Sequence, residues 1–240
     1  MIPMEQRTAL EITSSVQQIR DRITAACVRA GRPADSVILL AATKTRTAQE
    51  IRTAIEAGIG AAGENRVQEL RDKLAENAYA GCPLHFIGPL QTNKVKYLVG
   101  NVAMIHSVDS LRLAEAISDL SVKRGTVTNV LMEVNVGGEE SKSGVAPADG
   151  ASLADQIVSL PGLRLRGLMT VPPAVGDPRG AFASLRSMFE RLAVQLPPEF
   201  DTLSMGMSHD FEIAVEEGAT IVRVGSAIFG ARAPKTGGIQ

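Results

Sequence analysis

The chain has no tryptophan, and tyrosine and phenylalanine bring the aromatic share to only 3% of its 240 residues. Stacking platforms for single-stranded nucleic acid are therefore not expected. An excess of one charge is also missing: 25 basic and 26 acidic side chains leave a net charge of −1. No global field draws the chain toward nucleic acid or an anionic membrane. Cys27 and Cys82 are the two cysteines, far apart and neither within a C-x-x-C. That argues against a disulfide framework or a zinc knuckle and fits reduced thiols in a cytosolic protein. His106 and His209 have no ligand spacing with each other or with the cysteines, so no metal is expected. No apolar run is long enough to cross a bilayer, and residues Met1 to Glu5 lack the basic and apolar regions of a signal peptide. A soluble cytoplasmic protein without membrane or nucleic-acid partners is the expectation.

What the chain does have is apolar residues, 45% of the total, enough for a sizeable core. Ile12, Val16, Ile19, Ile23 and Cys27 recur every three or four residues and predict an N-terminal helix, ended by Gly31 and Pro33. From Val37 onward β-like runs alternate with helical stretches. The strands are read at Val37 to Lys44, Ile59 to Gly63, Leu84 to Ile87, Val102 to His106, Val127 to Val136, Leu163 to Thr170, Thr202 to Met205 and Thr220 to Val224. Helices are predicted between them, among them Thr92 to Val99, Pro147 to Leu160 and His209 to Glu217. Eight such units predict a single (β/α)8 TIM barrel, class α/β, with an extra N-terminal helix; an open doubly wound sheet is the alternative. The expected organisation is one domain over 1–240: helix 1–33, barrel 37–230 and a flexible tail 231–240.

Barrel sites lie where strands run into their following loops, and polar residues gather there. Val37 to Ala42 is a continuous apolar run leading through Thr43 into Lys44. That lysine is either solvated at a strand end or, with its amine kept partly dry and neutral, a nucleophile for a carbonyl. The second strand gives Glu64 and Asn65, the third His85, the fifth Glu133 and the sixth Met169. The seventh opens into Gly206-Met207-Ser208, with Ser208 as helix N-cap, and the eighth into Gly225-Ser226. Barrels commonly hold phosphate on those last two loops. Gly225 to Gly230 lacks the Lys-Ser/Thr pair of a nucleotide-binding P-loop. Alternation turns Arg223 to the same side as Ile221; on an inward face it needs a salt-bridge partner such as Glu133 or a ligand, and an outward-facing arginine is the alternative. An amine, a phosphate cradle and a buried arginine fit pyridoxal 5′-phosphate (PLP); a class I aldolase combines similar parts.

Several segments in order carry a resemblance: Ala42-Thr43-Lys44-Thr45, Gly63-Glu64-Asn65-Arg66-Val67-Gln68-Glu69, His85-Phe86-Ile87-Gly88-Pro89-Leu90-Gln91, Ser141-Lys142-Ser143-Gly144, Arg166-Gly167-Leu168-Met169, Ser204-Met205-Gly206-Met207-Ser208 and Val224-Gly225-Ser226. From about Val37 to Arg232 the chain resembles the YggS/PROSC family of pyridoxal phosphate homeostasis proteins. The resemblance implies the barrel of the alanine racemase N-terminal domain. It implies Lys44 as the Schiff-base lysine, Asn65 beside the cofactor, Ser208, Gly225 and Ser226 on its phosphate, and Arg223 at its pyridine nitrogen. His85 and Met169 line the same pocket. Arg66 stands where the family usually has Tyr, and Ser226 where Thr is usual. Lys142 is read as a solvated loop lysine.

A guanidinium at the ring nitrogen disfavours its protonation and weakens the cofactor as an electron sink. Racemases of similar fold add a second domain that supplies a tyrosine base, and no residues for one follow Gly230. The expected function is thus PLP homeostasis, buffering or delivering the cofactor to apo-enzymes, with effects on amino-acid and keto-acid balance, by a monomer or weak homodimer with no catalytic residue. A PLP-dependent racemase-like enzyme is the alternative.

Overall fold

Strands buried on both faces need apolar residues at consecutive positions, and the run before Lys44 folds accordingly. In the computed structural model, which describes residues 7–139, 143–173 and 175–231, it forms the first of eight parallel strands. These are β1 (Ile38–Ala42), β2 (Ala61–Glu64), β3 (Leu84–Phe86), β4 (Met104–Val108), β5 (Thr128–Glu133), β6 (Leu163–Met169), β7 (Thr202–Ser204) and β8 (Ile221–Val224). Each pairs with the next, and β8 pairs back with β1 to close the barrel. Lys142 and residues 232–240, the greater part of the expected tail, lie outside the described residues.

Side chains alternate between two cores. Leu40, Ala61, Met104, Leu131, Met169 and Ile221 fill the barrel interior. Their neighbours Leu39, Ala62, Ile105, Met132, Leu168 and Val222 point outward into a second, larger core beneath the helices. The covering helices are α1 (Ala9–Arg29), α2 (Ala48–Glu56), α3 (Val67–Ala75), α4 (Leu111–Lys123), α5 (Gly150–Ser159), α6 (Arg179–Ala193), α7 (Phe211–Glu216) and α8 (Ser226–Phe229).

The predicted N-terminal helix is α1. Thr8 and Glu11 form a reciprocal capping box at its start, and Ile12, Val16, Ile19, Ile23 and Cys27 are its buried stripe. Arg22 bonds Glu212 of α7 at 2.6 Å, and Arg32 donates to the carbonyls of Val215 and Ala219. Among the described residues no helix is long and apolar enough to cross a membrane.

Several boundaries differ from expectation. The third connection contains a 3₁₀ helix, Thr92–Tyr97, in place of an α-helix. The helix expected from Pro147 begins at Gly150, and that expected from His209 begins at Phe211. The run Val127 to Val136, expected as the longest strand, stops at Glu133; beyond it Val134 bridges Val145 while its N–H still donates to the Met169 carbonyl at 2.8 Å. The longest strand is instead β6, with 7 residues.

Candidate functional site

Lys44 lies two residues past β1, half-buried, in a turn at the C-terminal mouth of the barrel. The backbone around it is held on both sides. Thr43 is fully buried; its hydroxyl donates to Glu64 Oε1 at 2.8 Å, and its carbonyl accepts from Lys73 Nζ at 2.8 Å. Thr45 takes a positive φ of 64°, a region unfavourable for a β-branched residue. Its N–H donates to Glu69 Oε2 at 2.7 Å. Lys73 pairs with Glu64 and, at 3.5 Å, with Glu69. A cluster of charges on β2 and α3 thus fixes the turn that presents Lys44.

Inside the barrel, Arg223 shares the inner face with Ile221, as alternation predicted, and is only 5% exposed. The expected salt bridge with Glu133 does not form. Arg223 donates instead to Ser204 Oγ at 2.7 Å and to the Thr170 carbonyl at 2.8 Å. Burial lowers its pKa to about 10, opposed by the charges of Glu133 and Asp210, so it stays a cation at neutral pH. Burial raises the Glu133 pKa, opposed by Ser143, whose hydroxyl donates to it at 2.9 Å.

A polar chain continues from Ser204. Its oxygen lies 3.0 Å from His106 Nδ1, and His106 Nε2 lies 2.9 Å from His85 Nδ1. An arginine only donates, so Ser204 accepts from Arg223; the tautomer of each imidazole sets which way the protons run along the rest of the chain. Burial lowers the His85 pKa to about 4. Burial also holds His106 well below the usual histidine range, with His85 and Arg223 adding to the effect. Both rings are neutral at physiological pH.

The loops after β7 and β8 form the wall next to β1. Gly206 has a φ of 90°, and a Cβ there would sit 2.5 Å from that of Ala214, so only glycine fits the turn. Ser208 was expected to cap the following helix. It does not, because α7 starts only at Phe211, with Asp210 at the N-cap position. The Ser208 hydroxyl accepts instead from the N–H groups of Gly225 and Ala227, at 3.3 and 3.2 Å. Two amides therefore converge on one oxygen beside the exposed Ser226. A Cβ on Gly225 would lie 3.3 Å from Ala42, which brings this loop against the strand that leads to Lys44.

Asn65 sits at the end of β2 with its Oδ1 buried and without a hydrogen-bond partner. Met169 ends β6 within the inner apolar cluster. The eight expected residues thus fall on strands β3, β6 and β8 or on the loops that leave β1, β2, β7 and β8. Sequence reasoning noted His106, Ser204 and Glu64 at strand ends without giving them a role, and missed Lys73. Strand parity carried the signal for three of them: His106 and Ser204 alternate inward, and Glu64 outward beneath α3. No cluster of His, Cys, Asp and Glu able to hold a metal ion occurs among the described residues.

Comparison with known proteins agrees with this architecture. The family described as the alanine racemase N-terminal domain matches residues 15–233. A pyridoxal phosphate homeostasis protein of Aquifex aeolicus is 46% identical over 220 residues, which is 90% of this chain and 96% of that protein. The crystal structure of an unknown protein from Bifidobacterium adolescentis superposes with a TM-score of 0.87 at 46% identity, covering 92% of this chain and 95% of that one. PipY of Synechococcus elongatus, solved with PLP bound, superposes with a TM-score of 0.77 at 36% identity, covering 88% of this chain and all of PipY (100%).

Proposed function

The chain belongs to the family of pyridoxal phosphate homeostasis proteins, built on the alanine racemase N-terminal domain, and from that membership we propose that it binds PLP at the barrel mouth and serves as a reversible store of it. The observation that carries this reading is the pairing of β1 with β8. Leu40 is in register with Arg223 and Ala41 with Val224. An amine just past β1, a buried cation on β8 and a pair of amides just past β8 thus stand on adjoining staves of the barrel, groups suited to the aldehyde, ring nitrogen and phosphate of the cofactor.

When bound, PLP supplies an aldehyde that an amine captures covalently; Lys44 is the residue we assign to that capture. Gly225 and Ala227 offer N–H groups to the phosphate, now directed at Ser208, and the Ser208 and Ser226 hydroxyls add two more donors. Arg223 faces the ring nitrogen and, as a fixed cation, disfavours its protonation. Asn65, with its unpartnered oxygen, and His85 flank the ring, above Met169.

Storage rather than turnover follows from how the remaining groups are used. Both tyrosines of the chain are committed elsewhere. Tyr79 donates to Glu64 in the buried cluster outside the barrel, and burial and that carboxylate push its pKa far up. Tyr97 lies beneath the guanidinium of Arg71. Neither stands at the mouth as a base. We place the protein in the cytoplasm, as one unit that is a monomer or weak homodimer and passes PLP to apo-enzymes.

Borohydride reduction of the purified yellow protein should fix one adduct, mapped by mass spectrometry to the peptide containing Lys44. A colourless protein, or an adduct that persists in Lys44→Ala, would overturn the assignment. Incubation with L-alanine should give no steady racemisation; sustained turnover by protein cleared of contaminating racemase favours an enzyme. Removing both hydroxyls, in Ser208→Ala with Ser226→Ala, should speed PLP release at least about tenfold, since each hydrogen bond to a charged group contributes roughly 1.5–3 kcal/mol. Stopped-flow transfer of PLP to an excess of an apo-enzyme measures it.

A further inference from the structure

Beside the mouth, the loops after β2 and β3 line an open cavity of about 330 Å³ that shares only Asn65 with the function proposed above. Its size lies within the usual range of small-molecule sites, roughly 300–1,000 Å³. Apolar surface comes from the buried Phe86 and the half-buried Leu90. Three cations stand around it, Arg66, Arg71 and Lys94, and no carboxylate lines it. Arg71 is held flat over the Tyr97 ring, 4.6 Å from its centroid, so one cation is already ordered against an aromatic face. The backbone of α3 begins in the same wall, and Arg66 at its N-cap position makes no capping bond. Asn65, whose Oδ1 has no partner, lines both this cavity and the barrel mouth.

Three cations, one of which (Arg66) also pairs with Glu69 at 3.5 Å, suit a dianion better than a single carboxylate. A stacked Arg–Tyr pair beside Phe86 and Leu90 suits a flat ring. Resting on the PLP-storage reading above, we propose that this cavity is a second, non-covalent site for a phosphorylated pyridine, occupied as the cofactor passes between solvent and Lys44. Glu69 joins the two places physically. It pairs with Arg66 on the cavity rim at 3.5 Å and accepts the N–H of Thr45, the residue after Lys44, at 2.7 Å. Arg66 is 57% exposed, free to turn from Glu69 toward an incoming phosphate. Its departure from the tyrosine usual at this position thereby acquires a purpose.

The test uses protein whose barrel site is already filled and fixed by borohydride reduction at Lys44. The probe is pyridoxine 5′-phosphate, which carries an alcohol where PLP has its aldehyde and forms no covalent bond with lysine. Equilibrium dialysis should find one further equivalent bound. Arg71→Gln and Lys94→Gln should each weaken it about tenfold, the loss of one charge-assisted hydrogen bond. Both side chains are exposed, so the fold tolerates the changes. Unphosphorylated pyridoxine and inorganic phosphate, used separately, should each bind at least about tenfold more weakly. The absence of a second equivalent overturns the proposal, as does binding indifferent to the double variant. Equal affinity for adenosine monophosphate overturns the pyridine assignment. Failure of the storage reading is seen separately, as no adduct on Lys44, and titration of unreduced Lys44→Ala still reports on the cavity.

Discussion

Lys73→Met is expected to lower the free energy of unfolding by about 3–5 kcal/mol, the usual cost of stranding one member of a buried ion pair. Glu64 is fully buried. One of its oxygens accepts from Lys73, from Thr43 at 2.8 Å and from Tyr79 at 3.0 Å. Lys73 is itself only 7% exposed. Methionine fills its volume but removes the countercharge, and the two hydroxyls that remain do not neutralise a carboxylate. Glu64 must then take up a proton or admit water. Adding Glu64→Gln to the variant removes the second charge, keeps an acceptor for Thr43 and Tyr79, and should restore much of the loss. Urea unfolding at neutral pH measures both. A loss below about 1 kcal/mol in the single variant, the range of exposed pairs, would contradict the burial argument.

The location of this cluster explains its retention better than its net energy does. A buried ion pair seldom outperforms apolar residues of the same shape. Here the same lysine also holds the Thr43 carbonyl, and Glu69 holds the Thr45 N–H. A residue in a sparsely populated backbone region costs about 1–3 kcal/mol and persists only where its surroundings over-determine it. Thr45 is such a residue, next to the lysine assigned to bind the cofactor. The charges of β2 and α3 supply that over-determination.

These contrasts show which parts of the molecule were legible in the sequence. The barrel was, because parallel strands buried on both faces leave continuous apolar runs, as at Val37 to Ala42, and eight of them alternate with helical stretches. The stripe of α1 was legible down to single residues. The inward turn of Arg223 followed from a period of two. Its partners did not, because period fixes the face a side chain points to and not what it meets across a barrel. Glu133 was the nearest guess by charge, whereas Ser204 and the Thr170 carbonyl take the bonds. Ser208 misled for a related reason. A serine before a helical stretch reads as a cap, but the helix begins three residues later, and its hydroxyl serves the amides of another loop. Lys73 was hidden by its own commonness: on sequence it is one more charge on a solvated helix, until Glu64 is seen beneath it.

Acid should destabilise the fold steeply through the two neutral histidines. A buried histidine with a depressed pKa binds fewer protons in the folded chain than in the unfolded one. Unfolding therefore takes up protons as pH falls below the unfolded value of about 6.5, and stability declines with it. The His85 contribution is fully present above about pH 6.5 and is lost progressively as pH falls toward its folded pKa of about 4. His106, also held well below the usual histidine range, acts in the same direction. Each histidine contributes a slope of at most about 1.4 kcal/mol per pH unit, and the pair approaches about 3. Glu133 works the other way. Burial raises its pKa, a contribution present at low pH and lost as pH rises through its folded pKa. It softens the upper part of the acid limb without reversing it. Urea midpoints measured between pH 4 and 8 should show this limb, and His85→Gln should remove up to about half of its slope, the loss of one of two contributions of at most about 1.4 kcal/mol per pH unit. A flat profile in the parent chain would mean that the Ser204–His106–His85 relay carries an extra proton, and that Arg223 shares the barrel with a second charge.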